Sequence, residues 1–140
     1  MKQTYDINNI SQEPFPLSII PVSKDKKPFQ KWDEYKTKLP AVSSWHTHYR
    51  NKGSVGVIAG KISRNLEVID VDVKNDPKST IYEEFTKLIP QQLFQRLIIQ
   101  TTPNNGYHII YRCNEVTIEG NQKLAIHSDG KVIIETRGEG

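Results

Sequence analysis

The chain has 140 residues, enough for one domain with a real core, and its 36% hydrophobic and 25% charged content are those of a water-soluble globule. Nineteen Lys and Arg against sixteen Asp and Glu leave a net charge of +3, which permits a polyanionic partner without requiring one. A single cysteine, Cys113, excludes an internal disulfide and fits a reducing compartment, and the polar start "MKQTYDINN" holds no signal peptide or membrane span, so the expected location is cytoplasmic.

In chain order, residues 1–16 read as a poorly ordered segment. "LSIIPV" (17–22) is a short strand closed by the basic turn "SKDKKP". Within and after it Lys24, Lys26, Lys27 and Lys31 read first as a solvated face. The chemical alternative is contact with nucleic-acid phosphates, for which Lys26, Lys27 and Lys31 are the candidates. "FQKWDEYKTK" (29–38) is a short helix or irregular segment, with Trp32 and Trp45 expected to pack a small N-terminal lobe. Ser43 or Ser44 is the expected N-cap of a helix through "SWHTHYRNK". On such a helix His46 and His48 lie about 200° apart, which does not suit a histidine-pair nuclease.

"SVGVIAG" (54–60) and "LEVIDVDV" (66–73) are strands joined by "KISRN", and so short a link predicts an antiparallel hairpin. "TIYEEFTKLI" spaces Ile81, Phe85 and Leu88 as a helix, with Thr80 and Glu83 as its capping box; Pro90 ends or kinks that helix, and in the second case "QQLFQR" continues it. Four strands follow, "LIIQTT", "YHIIYRC", "KLAIHS" and "KVIIETR", separated by turn residues. This order predicts an α+β fold, a mostly antiparallel sheet with helices packed on one side. The final "RGEG" breaks off where a hairpin would return, so residues 17–140 are expected to be a domain truncated at its C-terminus.

Strand alternation sorts the charged side chains. Ile69, Val71 and Val73 point one way; Leu66, Val68, Asp70 and Asp72 point the other, the two aspartates roughly 7 Å apart. Carboxylates so close repel unless a cation lies between them, and their hard oxygens suit Mg²⁺ or Mn²⁺. His108 shares a face with Ile110 and Arg112, and Glu135 shares one with Arg137. Three acids and a histidine on one open face form the layout of two-metal nucleotidyl transfer. The alternative is a non-catalytic single-stranded nucleic-acid-binding or scaffold domain, stacking bases on Tyr107 and Tyr111. Against it, three acids repel phosphate unless metal covers them, and the tyrosines fall opposite His108. A restriction-type nuclease would need a lysine where "IETR" has arginine.

The series "GVIAG…LEVIDVDV…TTPNNGYHIIYR…KVIIETRGEG", with "KKPFQKW" before it, resembles the bifunctional primase–polymerase (prim-pol) domain of the archaeo-eukaryotic primase superfamily. The resemblance covers about residues 17–140. It implies a DNA primase or polymerase serving a plasmid, phage or mobile element, acting on DNA template and primer with nucleoside triphosphates, beside a fused or associated helicase. It further implies two Mg²⁺ or Mn²⁺ ions held by Asp70, Asp72 and Glu135, with His108 on the triphosphate and Arg137 on phosphate or paired with an acid. The sequence departs from the family pattern in two residues. Gly106 stands where serine often precedes the histidine, and Glu135 where aspartate is common. The pattern also continues past "RGEG" into a further strand.

Overall fold

The computed structural model describes residues 16–76, 78 and 80–140; the expectation for residues 1–16 thus lies, apart from Pro16, outside the described residues. Two antiparallel sheets organise the chain. β1 (Ser18–Val22) pairs with β2 (Ser54–Ile58), and α1 (Val42–Arg50) lies across them. The second sheet has five strands in the order β4–β5–β3–β7–β6, formed by β3 (Leu66–Val71), β4 (Ile98–Thr101), β5 (Tyr107–Arg112), β6 (Lys123–Ile126) and β7 (Val132–Arg137). The fold is α+β with every strand pair antiparallel.

The small lobe is built on apolar β-branched residues. Ile20, Val22 and Ile58 form its core, Trp32 and Tyr35 pack against them, and Trp45 of α1 is 1% exposed. Helix α1 begins earlier than the serines suggested. Ala41 is its N-cap with an extended backbone after Pro40, and the Ser44 hydroxyl donates back to the Ala41 carbonyl at 2.6 Å. "DEYK" (Asp33–Lys36) forms one turn of 3-10 helix.

The expected β2–β3 hairpin does not form. β2 finds its partner in β1, and β3 runs into the middle of the other sheet; only a single bridge, Gly60 to Leu66, links the two. The reason lies in the "KISRN" connection. Gly60, Arg64 and Asn65 all have positive φ, so the chain swings out of line with β2 instead of folding back along it. Ser63, fully buried in that connection, fixes the swing. Its hydroxyl donates to the Ile58 carbonyl at 2.6 Å and accepts from the Ser18 amide at 2.9 Å.

α2 (Ile81–Lys87) packs on one face of the five-stranded sheet, and α3 (Gln91–Phe94) follows it. Val71, Ile109 and Ile134 are its buried centre, met by Ile81, Tyr82 and Phe85, with Tyr82 stacked on Tyr107 at 3.6 Å. The capping box expected for α2 is replaced by a longer reach. Asp76 accepts hydrogen bonds from the amides of Thr80 (2.7 Å) and Ile81 (2.9 Å), while the Thr80 hydroxyl donates to Glu84. A carboxylate takes over the cap because it neutralises the orphan amides more strongly than a hydroxyl. Pro90 separates α3 from α2 rather than kinking one helix.

Candidate active-site face

The central strand decides what can meet. β3 is flanked by β5 and β7, and in register Asp70 lies directly opposite His108 on one side and Glu135 on the other. Residues directly opposite share a face with Cβ atoms about 5 Å apart, so three strands deliver Asp70, His108 and Glu135 to one row. The row continues to both sheet edges, with Gln100 of β4 opposite His108 and Lys123 of β6 opposite Glu135. It lies on the face opposite Val71, Ile109 and Ile134, away from α2 and α3.

Gln100 and Lys123 were not legible as members of this row. Each is an ordinary polar residue in an edge strand, and only the strand order aligns it with the acids. The register shifts just past Lys123, a bulge that re-aims the residues that follow.

Around Asp70 the charges are paired. Arg137 Nη2 donates to Glu135 Oε1 at 2.6 Å and lies 3.5 Å from Asp70 Oδ2. His108 Nε2 lies 3.7 Å from Asp70 Oδ1. Asp70 and Glu135 are each 23% exposed and His108 is 38% exposed, so the row can be reached from solvent.

Asp72 stands apart from this row. The strand ends at Val71, and Asp72 instead caps a 3-10 turn over Val73–Asn75. One oxygen accepts from the Lys74 amide at 3.3 Å; the other meets Lys74 Nζ at 3.0 Å and accepts from Asn75 Nδ2 at 3.3 Å. Strand alternation extended through Val73 therefore carried the pattern two residues too far. The turn takes over because Asp72 and Asn75 satisfy its backbone locally, Asn75 also donating to the Val132 carbonyl at 3.0 Å.

Two glycines have steric reasons. A Cβ on Gly106 would come within 2.6 Å of the Val71 carbonyl and 3.1 Å of Thr102 Oγ1, so glycine lets β5 close against the end of β3 and brings His108 level with Asp70. A side chain on Gly138, directly after Arg137, would run into the Glu119 carbonyl.

Lys26, Lys27 and Lys31 are exposed on the small lobe, Lys26 with a left-handed backbone. No contact joins them to the acidic row among the described residues. A cavity of about 320 Å³ opens by Lys61, Asn65, Glu115 and Glu139, toward the other end of β3.

The donor set bears on a divalent ion. Among the described residues no group of three or more His, Cys, Asp or Glu forms a ready cage. Asp70 and Glu135 nonetheless share one cation, the Arg137 guanidinium, between hard carboxylate oxygens. Those two carboxylates offer the hard oxygens that Mg²⁺ or Mn²⁺ takes, whereas Asp72 lies off the row in an ion pair with Lys74.

The family of bifunctional DNA primase/polymerase N-terminal domains matches this chain over residues 14–140. A search of curated proteins returned no match.

Proposed function

The chain belongs to the bifunctional DNA primase/polymerase N-terminal family, and on that premise we propose that it is a nucleotidyltransferase. It adds nucleoside triphosphates to a 3′-hydroxyl on a DNA template, or starts a primer de novo, and releases pyrophosphate. The setting is replication of a plasmid, phage or mobile element, with a helicase as fused or associated partner. One observation carries the reading: the register that aligns Asp70 with both His108 and Glu135 on the face the helices leave free.

Asp70 and Glu135, joined by Asp72, would hold Mg²⁺ or Mn²⁺. Such ions, when bound, neutralise triphosphate charge and favour the deprotonated 3′-hydroxyl. His108, whose Nε2 lies 3.7 Å from Asp70 Oδ1, binds triphosphate oxygens through a ring N–H. Arg137 adds a planar fork of donors suited to phosphate. Lys26, Lys27 and Lys31 neutralise phosphates of template or primer, a sequence-independent contribution.

The test is primer synthesis and extension by the full chain with Mn²⁺ present, wild type against Asp70→Ala/Asp72→Ala. Incorporation should fall by roughly 10²–10³ or more in the double variant. Unchanged incorporation would overturn the metal assignment. A wild-type chain that incorporates nothing, yet binds a single strand without divalent ions and binds it more tightly once the acids are removed, would be a binding module instead.

A further inference from the structure

We propose that Arg137 is a placeholder, its guanidinium filling the cation position between Asp70 and Glu135 until a divalent ion displaces it toward the incoming triphosphate. The inference rests on the metal-dependent reading above and adds a positioning role and an order of binding to it.

Two observations carry it. The first is the shared cation: Arg137 Nη2 lies 2.6 Å from Glu135 Oε1 and 3.5 Å from Asp70 Oδ2. Carboxylates directly opposite on adjacent strands repel, and the guanidinium between them relieves that repulsion. A divalent ion needs the same oxygens, so the two cations exclude one another. The second is how the arginine is mounted. Its side chain is 45% exposed, so solvent rather than packed atoms lies beside it. Its backbone is held, because Gly138 leaves no room for a Cβ against Glu119 and donates its amide to Asn121 Oδ1 at 3.2 Å. Arg137 lies opposite Val68, one pleat along the face from the row. Once released, its five donors remain on the same face as the acids, with β3 between them and His108.

This exchange couples the two ligands. Arginine opposes ion binding when no nucleotide is present and supports nucleotide binding once the ion is in place, so each ligand favours the other. Arg137→Gln should therefore tighten Mn²⁺ binding without nucleotide by roughly two- to fivefold, the strength of a partly exposed ion pair. It should weaken nucleoside triphosphate binding in the presence of Mn²⁺ by about tenfold or more, the loss of a charge-assisted phosphate contact. The probes are Mn²⁺ itself, followed by the paramagnetic resonance signal of the free ion, and equilibrium nucleotide binding at saturating Mn²⁺. Arg137→Lys keeps the charge and should return Mn²⁺ affinity toward wild type, with nucleotide affinity only partly restored.

A purely structural arginine would move both affinities downward, and that result overturns the proposal. So does unchanged Mn²⁺ affinity in Arg137→Gln when Asp70→Asn abolishes Mn²⁺ binding, and there the metal-dependent reading stands alone. If wild type and Asp70→Asn bind Mn²⁺ equally, or neither binds it, both readings fall together.

Discussion

Between residues 16 and 64 the chain carries ten Lys and Arg against three Asp and Glu; between 65 and 140 it carries eight against eleven. The basic part is the small lobe and the acidic part the five-stranded sheet, and they also treat polar side chains differently. The lobe buries Ser18 and Ser63 completely and spends them on its own backbone, Ser63 on Ile58 and Ser18 on Tyr35. The sheet keeps Asp70, His108, Glu135 and Arg137 uncovered on one face, although two of them repel. Polar groups in the lobe thus serve the fold, whereas those on the open sheet face add little to it and are free to meet ligands. On the proposed function, a polyanion would be drawn to the lobe and cations to the acids on the sheet, so a nucleic-acid strand and a divalent ion need not compete for one surface.

The largest effect that would break this contrast comes from separating the two aspartates. Asp70→Ala should cut nucleotide incorporation by roughly 10²–10³ while leaving thermal stability nearly unchanged, because it also removes a like-charge neighbour from Glu135. Asp72→Ala should lower stability by about 1 kcal/mol, since its carboxylate caps the turn that ends β3. Incorporation assays and melting curves on both variants decide it. An Asp70→Ala chain that melts as early as a core variant would mean the row is structural.

A smaller effect tests the lobe. Ser63→Ala leaves the Ser18 amide without its buried acceptor and removes the donor to Ile58, so urea unfolding should lose about 1–3 kcal/mol. Strand binding per folded molecule should not change. A neutral substitution would mean that the connection from β2 to β3 is held by its backbone alone.

Much of this arrangement was legible in the sequence, for identifiable reasons. β3, β5 and β7 are runs rich in Val and Ile, so alternation alone grouped Glu135 with Arg137 and set Tyr107 opposite His108. Alternation failed where a strand stopped, because local hydrogen bonds in the turn outweighed one more pleat at Asp72. The paired strands were misassigned for a related reason. Link length predicts a hairpin only when the link can adopt a hairpin turn, and three positive-φ residues with a buried serine send β3 elsewhere. Gln100 and Lys123 were hidden because strand order is a long-range fact. Nothing in "LIIQTT" or "QKLAI" says which strand lies alongside.

The smallest effect separates the two faces of one strand pair. β3 and β5 align Asp70 with His108 on the open face and Glu67 with Tyr111 on the other. The Tyr111 hydroxyl donates to the Glu67 carboxylate. Burial, and then that hydrogen bond, raise the Tyr111 phenol well above its ordinary value. If polar groups on the helix side serve the fold, Tyr111→Phe should cost about 1 kcal/mol at pH 7 and leave incorporation untouched. The pH dependence has a definite sign. A raised folded-state pKa gives stability that is complete below the unfolded phenol's value near 10 and is lost as pH climbs beyond it. The unfolded chain then ionises while the folded phenol stays neutral. Unfolding midpoints at pH 8 and pH 11 should therefore show wild type ahead of Tyr111→Phe at the lower pH and the gap closing at the higher. A gap that stays constant would mean Tyr111 ionises as freely in the folded sheet as outside it. A variant that lost incorporation without losing stability would place Tyr111 with Asp70 in function, and the division between the two faces would fail.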